Sequence, residues 1–208
     1  PTARSVTLLA CLSGVAVFTY SALLPAFTRD QLASESATLG LLTGAGGLGA
    51  IAGALAMDAS GRRLGRGRQT VVMLVGSALC VGLLGLTSVL PVAIVLVGSL
   101  VLLSVLFGGT AQLLVQSSPP PRLRASVMAV YTFVFYLALP LGTTTVGLLA
   151  DRFGVGMVLV GMAVVSVVGV VLIVLSDRRL LGVDVDDGGE VRISGDRREP
   201  DAGAIVVP

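Results

Sequence analysis

The sequence predicts an all-α membrane protein. Three observations lead to this fold class: an apolar composition, long uncharged runs, and arginines confined to a few short stretches. Of 208 residues, 54% are hydrophobic and 12% are charged, whereas a soluble domain has about 25% charged residues. Six apolar runs approach or exceed the roughly 20 residues that a membrane-spanning helix needs. They are continuously apolar rather than alternating, which favours helices over barrel strands. The six predicted spans are Ser5–Phe27, Ala37–Met57, Gln69–Thr87, Val92–Val115, Ala125–Ala150 and Val155–Leu175.

Arginines are concentrated in the stretch GRRLGRGRQT, residues 61–70, between the second and third spans. With six spans, both chain ends lie on the same side of the membrane as the connections after the second and fourth spans. Among residues 1–179, nine arginines fall on that side, and two, Arg29 and Arg152, fall on the other. Because cytoplasmic connections carry an excess of positive charge, the arginine stretch is predicted to be a cytoplasmic loop and both termini cytoplasmic. The nine are Arg4, Arg62, Arg63, Arg66, Arg68, Arg122, Arg124, Arg178 and Arg179.

The composition argues against an enzyme. The sequence has no histidine and no lysine, so an intramembrane protease would lack a base for its nucleophile, and that class is set aside. Cys11 and Cys80 each lie within an apolar run and are interpreted as small core residues. No cofactor and no metal are expected. No nucleic-acid partner is expected either, because no basic surface is interleaved with exposed aromatic residues.

Two short motifs lie at corresponding places in the chain. Residues 54–63 read ALAMDASGRR, with Asp58, Gly61, Arg62 and Arg63, and residues 147–154 read GLLADRFG. Both resemble the loop signature G-x-x-x-D-R-x-G-R-R of the major facilitator superfamily, although Ala54 and Ala59 replace a glycine and a basic residue. The second copy contributes Asp151, Arg152 and Gly154, after the fifth span. The resemblance implies a bundle of two inverted three-helix repeats, which is half of a twelve-helix transporter.

A third stretch narrows the resemblance. LRASVMAVY, residues 123–131, is similar to the entry of the eleventh helix in the enterobactin-exporter-like and related drug-efflux branch. The resemblance implies a C-terminal half in a cell membrane, inner or plasma, whose partner is an N-terminal six-helix half. Because the chain opens on PTARSV without a methionine, it is expected to be cut from something longer. The alternative is a non-catalytic subunit or half-transporter that functions only on assembly with a partner half.

In this superfamily, the loop after the second span contacts the other half and helps to close the cytoplasmic side. The resemblance therefore implies that Asp58 caps or pairs at a helix end, whereas a solvated loop aspartate is an equally good interpretation. The second span is rich in glycine, with small residues four apart at Gly40–Gly44 and Gly49–Gly53. They predict either a sliding surface against the other half or static packing within this one, and packing is slightly favoured.

Polar side chains inside the spans are candidates for substrate contacts, because burying them in lipid is costly. Gln112 and Gln116 are one turn apart on the fourth span, near Gly98, Gly108 and Gly109, which are expected to leave room. The resemblance adds Tyr20 and Ser21, since the first and fourth helices of each half line the cavity. Tyr131 and Tyr136 are further candidates, with interhelical hydrogen bonding as the alternative for all six. No acid or base lies at mid-span, and the apolar wall favours a hydrophobic or amphipathic cargo over a sugar or a charged metabolite. The resemblance implies secondary active transport by alternating access, with efflux of a small molecule of the drug or siderophore type.

The C-terminal tail differs in composition from the rest. Residues 1–176 are predicted to form the six-helix bundle and residues 177–208 a polar, acidic tail with eight acids and five arginines. The alternation in VDVDDGGEVRIS suggests a small hairpin around DGG, but an isolated hairpin is marginal in water. Disorder is therefore predicted for the tail. An EF-hand that starts at Asp184 is excluded, because glycine stands at the fifth and twelfth positions of the loop, Gly188 and Gly195, where ligands are needed.

Overall fold

A computed structural model describes residues 19–30, 32, 36–117, 122, 124–176, 183–185 and 191–193. These residues form six helices followed by two short strands. The helices are α1 (Tyr20–Asp30), α2 (Ser36–Leu64), α3 (Arg66–Leu86), α4 (Leu90–Ser117), α5 (Arg124–Phe153) and α6 (Val155–Ser176), and the strands are β1 (Val183–Val185) and β2 (Val191–Ile193).

Five of these helices, α2 to α6, are long and apolar enough to cross a membrane. They confirm the second to sixth predicted spans as helices, although each begins or ends a few residues away from the predicted position. The first predicted span lies partly outside the described residues, and α1 covers only its end, running on to Asp30. Cys80 packs against the core of the bundle, as predicted. Cys11 is not among the residues that the structure describes.

The arginine stretch is helical on both sides of one residue, so the connection between the second and third spans is much shorter than the predicted loop. Helix α2 continues past Met57 to Leu64, and α3 begins at Arg66. Only Gly65 separates them, with φ of 76°, a backbone conformation that glycine adopts at little steric cost. Its N–H donates to the carbonyl of Gly61 at 3.0 Å, and its own carbonyl accepts from Gln69 N–H at 2.9 Å. A single glycine therefore turns the chain, and we call residues 61–68 the arginine junction.

The connection between α5 and α6 has the same construction. Gly154, with φ of 81°, is the only residue between the two helices. Its N–H donates to the carbonyl of Ala150 at 2.9 Å, and its carbonyl accepts from Val158 N–H at 3.3 Å. Asp151 and Arg152 consequently lie in the last turn of α5 rather than in a loop.

Glycines set how closely the helices pack. A Cβ atom at Gly49 would overlap the carbonyl oxygen of Gly98, and one at Gly53 would lie 2.8 Å from the Leu102 carbonyl oxygen. Since both contacts advance together along the chain, α2 and α4 run parallel. Gly82 lies against Ala163 and Gly85 against Leu159, so α3 and α6 are antiparallel.

Burial differs strongly between the helices. Helix α3 packs against both α4 and α6, and half of its most apolar stretch is buried. Only 6% of the corresponding stretch of α5 is buried, and 22% of that of α2. Most of α5 and one side of α2 are therefore not covered by the described part of this chain.

The helix ends gather at two opposite ends of the bundle. An open cavity is lined by Asp30 at the end of α1, Leu86 at the end of α3, and Phe153 and Gly154 at the α5–α6 connection. The arginine junction precedes α3, so it lies at the other end of that helix. We call these the Gly154 end and the arginine end. The antiparallel α3 and α6, and the parallel α2 and α4, are consistent with helices that cross the bilayer in alternation.

Six residues of the tail form two short strands, although the sequence predicts disorder for the tail. Strands β1 and β2 are antiparallel, and they pair Val183 with Ile193, Asp184 with Arg192 and Val185 with Val191. This corresponds to the hairpin alternative, and β1 also contacts α3. Packing against a helix gives a two-stranded hairpin the support that it lacks alone. The rest of the tail lies beyond the described ranges, as do Arg4, Arg178 and Arg179.

Candidate gating site and cavity face

The motif aspartate has a positive partner at the arginine junction. Asp58 lies on α2, and Arg66 is the first residue of α3. The guanidinium Nη2 of Arg66 donates to the carboxylate Oδ1 of Asp58 at 3.5 Å. The Asp58 side chain is 77% exposed and that of Arg66 only 15% exposed. The pair therefore consists of an enclosed guanidinium and a carboxylate that is still largely open to solvent.

The guanidinium of Arg66 packs directly against Gly61. A Cβ atom at Gly61 would lie 2.5 Å from Nη1 of Arg66, 2.6 Å from Cζ and 2.8 Å from Nε. Any other residue at this position would push the guanidinium away. The motif glycine thus has a packing reason here: it lets the arginine cross the helix surface and reach the aspartate one turn earlier.

The sequence comparison missed Arg66 because the signature places its arginines after the glycine and next to the aspartate. Ala59 stands where the signature has its first basic residue, and Arg66 reaches Asp58 from the next helix instead. The single-residue turn at Gly65 makes this possible, because it folds α3 back over the last turn of α2. Arg62 and Arg63 lie in that last turn, but their side chains are not among those described.

The second motif copy lies far from the first. Asp151, Arg152 and Gly154 are all exposed at the Gly154 end, so the structure does not bring the two copies together. Their local geometry also differs. In the first copy the motif glycine, Gly61, is buried inside a helix, whereas in the second the motif glycine, Gly154, is itself the turn. Helix α2 continues for three residues after its motif glycine, whereas α5 ends one residue before Gly154.

The glycines of α2 divide between two faces. Gly46, Gly49 and Gly53 face α4, where added side chains would meet Val101 or the α4 backbone. Gly40, Gly44 and Gly47 face open space, with no atom within 4 Å of a Cβ position. The packing interpretation is therefore correct for Gly49–Gly53. The Gly40–Gly44 pair remains a candidate for contact with another half.

The two glutamines of α4 lie on one open face. Gln112 and Gln116 are both exposed, and Gly108, one turn before, has free space beside it. Gly98 and Gly109 do not provide room, because they pack against Ala45 and Met57 of α2. Helix α4 ends at Ser117, so both amides lie in its last two turns, near the arginine end, and not at the mid-membrane depth expected of substrate contacts.

The remaining candidates differ in exposure. Tyr20 and Tyr131 are half-buried and pack against the core. Ser21 is exposed, and Tyr136 lies near the middle of α5 with its side chain exposed. Tyr131 lies in the half of α5 that is nearest the arginine end. The glutamines of α4 lie near that same end. Tyr20, at the start of α1, lies two turns or more from the cavity at the Gly154 end.

Hydroxyl groups along the spans mostly bond to their own helices. Thr143 and Thr144 donate to the Pro140 carbonyl at 3.0 and 2.9 Å, and Thr145 donates to the Leu141 carbonyl at 2.8 Å. Ser77 and Ser104 donate in the same way to earlier carbonyls. Such hydroxyls need no external partner. They are thereby weaker candidates for binding than the amide groups of Gln112 and Gln116.

A buried amide in α3 escaped the sequence interpretation. Gln69 is 0% exposed, and neither of its side-chain polar atoms has a hydrogen-bond partner among the described residues. The same holds for the hydroxyl of Thr110 on α4. Gly76 meets Leu103 across the α3–α4 interface, and Gln69 and Thr110 each lie seven residues, about two turns, from this contact. On antiparallel helices they therefore come to the same level, near the arginine end.

The sequence matches the transmembrane secretion effector family of the major facilitator superfamily over residues 1–188. The chain belongs to this family. No curated protein matches it. Membership makes the protein a multi-pass membrane protein of a family of transporters rather than enzymes, and the five apolar helices agree with this.

Proposed function

We propose that this chain is the C-terminal half of a secondary transporter that exports a hydrophobic or amphipathic small molecule by alternating access. The observation that carries the proposal is that two helices of a bundle from a transporter family, α2 and α5, are little covered by the rest of the described chain. Helices α2 and α5 are barely buried, and the open face of α4 carries two amides beside a glycine with free space. An uncovered face of this kind suits a second half and a cavity between the halves.

The ion pair at the arginine junction is proposed as part of the cytoplasmic gate. An exposed ion pair contributes about 0–1 kcal/mol, so it can break and re-form without unfolding the bundle. The carboxylate of Asp58 is exposed and has room for a second partner, whereas the guanidinium of Arg66 is enclosed. In the closed state the other half would approach Asp58, with Arg66 holding the carboxylate in place.

The cargo is proposed from the chemistry of the open face. Exposed α5 side chains include Phe133, Tyr136 and Leu137, with the amides of Gln112 and Gln116 on α4. The described parts of α2 to α6 carry charged residues only at or near their ends, the innermost being Asp58, two turns from the end of α2. Such a lining suits an apolar molecule with a few hydrogen-bonding groups. If export is proton-coupled, the titrating residue is expected in the other half.

A transport assay tests this role. Asp58→Asn, expressed with its upstream reading frame, removes the charge but keeps the shape, and is expected to lower the rate of ethidium export from cells by about fivefold, as for the loss of a contact of about 1 kcal/mol. The matched control is Asp30→Asn, an exposed aspartate at the Gly154 end. An unchanged rate at normal expression of Asp58→Asn would remove Asp58 from the gate.

The second candidate function is a half-transporter that works only when a separate chain supplies the other half. The same uncovered faces of α2 and α5 favour it equally. The two candidates differ in the upstream reading frame: six further spans in frame indicate one polypeptide, and a stop codon indicates assembly from separate chains. In the second case, co-expression with the partner half is required for any export.

A further inference from the structure

An apolar groove runs between α5 and α6 at the Gly154 end of the bundle, with a volume of about 350 Å³. Thr145, Leu149 and Phe153 line it on α5, and its lining on α6 extends from Met157 to Val165. On each helix this is a length of about 12 Å. One leaflet is about 15 Å deep, half of the roughly 30 Å hydrocarbon core. The groove therefore covers most of the depth of one leaflet.

The groove side of α6 is turned away from the rest of the described bundle. Leu159 and Ala163 face α3, where they meet its glycines. At about 100° per residue, Met157 and Val165 lie roughly 120–160° around the helix from those two residues. Since α5 and α6 are both long and apolar enough to cross a membrane, this side of α6 faces the hydrocarbon of the bilayer.

The groove side of α5 is also distinct from the face proposed for cargo. Phe133, Tyr136 and Leu137, which belong to that face, point on average about 170° away from the groove-lining residues of the same helix. The groove thus lies behind the surface at which cargo and the other half are proposed to bind.

The lining suits a hydrocarbon chain. Among the described residues that form it, Thr145 has the only polar side chain, and its hydroxyl donates to the Leu141 carbonyl at 2.8 Å. Phe153 and Met157 also line the neighbouring cavity that contains Asp30, so they separate this acid from the groove. A long groove without hydrogen-bonding groups fits an acyl chain better than it fits a compact polar molecule.

A positive charge lies where the groove reaches the membrane surface. Arg152 is exposed in the last turn of α5, next to Phe153. It lies seven residues, almost two full turns, after Thr145 and is therefore on the groove side of the helix. Asp151 is turned about 100° from Arg152, away from the groove. The guanidinium is consequently placed to pair with a phosphate group above the groove.

We propose that this groove binds a phospholipid of the leaflet at the Gly154 end, with one acyl chain between α5 and α6 and the phosphate on Arg152. Because lipid tails are as apolar as the groove, binding depends on van der Waals packing of the chain and on the charge pair at the surface. The lipid supplies packing for α5, which the described chain covers very little. The inference holds whether or not the protein exports a small molecule.

Photo-crosslinking of the complete protein, expressed with its upstream reading frame, tests the site. The protein is placed in phosphatidylcholine nanodiscs that contain phosphatidylglycerol with a diazirine on one acyl chain, and the labelled peptides are identified by mass spectrometry. We expect stronger labelling of residues 145–153 and 157–165 than of Leu79 and Leu83, exposed on α3. Labelling no stronger than on α3 would mean that the other half covers the groove or that lipid contact there is ordinary, and it would overturn the proposal.

Two neighbouring valines test the acyl chain. Val165→Trp fills the groove, and Val164→Trp adds the same indole at an equally exposed position that does not line it. Labelling of the groove should fall about tenfold in Val165→Trp, as for the loss of some ten carbon–carbon contacts, and should persist in Val164→Trp. Equal labelling in the two variants overturns the proposal.

Two arginines test the phosphate. Arg152→Gln should raise the half-saturating concentration of phosphatidylglycerol about fivefold, as for one basic residue at the membrane surface. Arg29→Gln, which removes an exposed arginine at the same end of the bundle, should leave it unchanged. Equal effects of the two variants overturn the assignment of the phosphate. Displacement of the lipid by ethidium would make the groove a cargo site and would likewise overturn the proposal.

Discussion

At the scale of single residues, the arginine junction depends on the absence of a side chain at Gly61. The guanidinium of Arg66 lies where a Cβ atom of residue 61 would be, and it reaches Asp58 only from there. The atoms that would clash belong to a long flexible side chain. A substitution at Gly61 should therefore displace Arg66 without disturbing the helix backbone.

Gly61→Ala is predicted to separate Arg66 from Asp58 and to lower ethidium export by about fivefold, as for the loss of one exposed ion pair, while the melting temperature stays within a few degrees. The control is Gly161→Ala, on an exposed part of α6 with no atom within 4 Å of the new methyl group. Export equal to that of Gly161→Ala would show that the position of Arg66 is irrelevant to transport.

Gln69 provides a second prediction at this scale. A buried amide without a hydrogen-bond partner costs roughly 1–3 kcal/mol, and methionine has a similar volume without polar groups. Gln69→Met is thus expected to raise the melting temperature of the protein in detergent, by several degrees if about 1 kcal/mol is gained. Leu74→Met, a fully buried apolar position in the same helix, controls for methionine itself. A fall in melting temperature larger than that of Leu74→Met would show that the amide makes a stabilising bond.

At the scale of elements, α2 has one face for its neighbour and one left open. Gly49 and Gly53 let α2 approach the α4 backbone, whereas Gly40, Gly44 and Gly47 meet nothing. A clash with backbone cannot be relieved by rotating a side chain. The inward glycines are therefore expected to control stability, and the outward ones to control contact with the other half.

Gly49→Ala is predicted to push α2 and α4 apart and to destabilise the bundle by about 1–3 kcal/mol, the usual cost of overpacking. Thermal unfolding in detergent, followed by helical circular dichroism, measures this as a lower melting temperature. Gly161→Ala again adds a methyl group in open space and should leave the temperature nearly unchanged. Equal melting temperatures for the two variants would contradict the close approach of α2 to α4.

The elements that the sequence predicts well are those set by hydropathy alone. Spans two to six are confirmed as helices because an uninterrupted apolar run satisfies its backbone only as a helix in lipid. Helix ends were harder, since α2 continues through Asp58 and Arg62, which hydropathy counts against a span. The arginine junction contains three glycines, and the sequence alone does not indicate which of them forms the turn. The Asp58–Arg66 pair could be found only from the structure, because its members are eight positions apart and lie on either side of the turn at Gly65.

At the scale of the whole molecule, the described residues form a bundle with one strongly basic end and two helices, α2 and α5, that are little covered. Arg66, Arg68, Arg122 and Arg124 are described at or next to connections of the arginine end. The positive-inside rule assigns such an end to the cytoplasm, and Thr87 to Val89 between α3 and α4 then face outside. The proposed gate and the two glutamines both lie towards the cytoplasmic end under this orientation.

Sided labelling of single cysteines in intact cells tests this orientation most directly. A membrane-impermeant maleimide is added to cells that carry either Gly65→Cys, at the arginine junction, or Ser88→Cys, exposed between α3 and α4, in a background without other cysteines. We predict that Ser88→Cys reacts from outside and that Gly65→Cys reacts only after the cells are permeabilised. Labelling of Gly65→Cys in intact cells would place the arginines outside and contradict the proposed transporter.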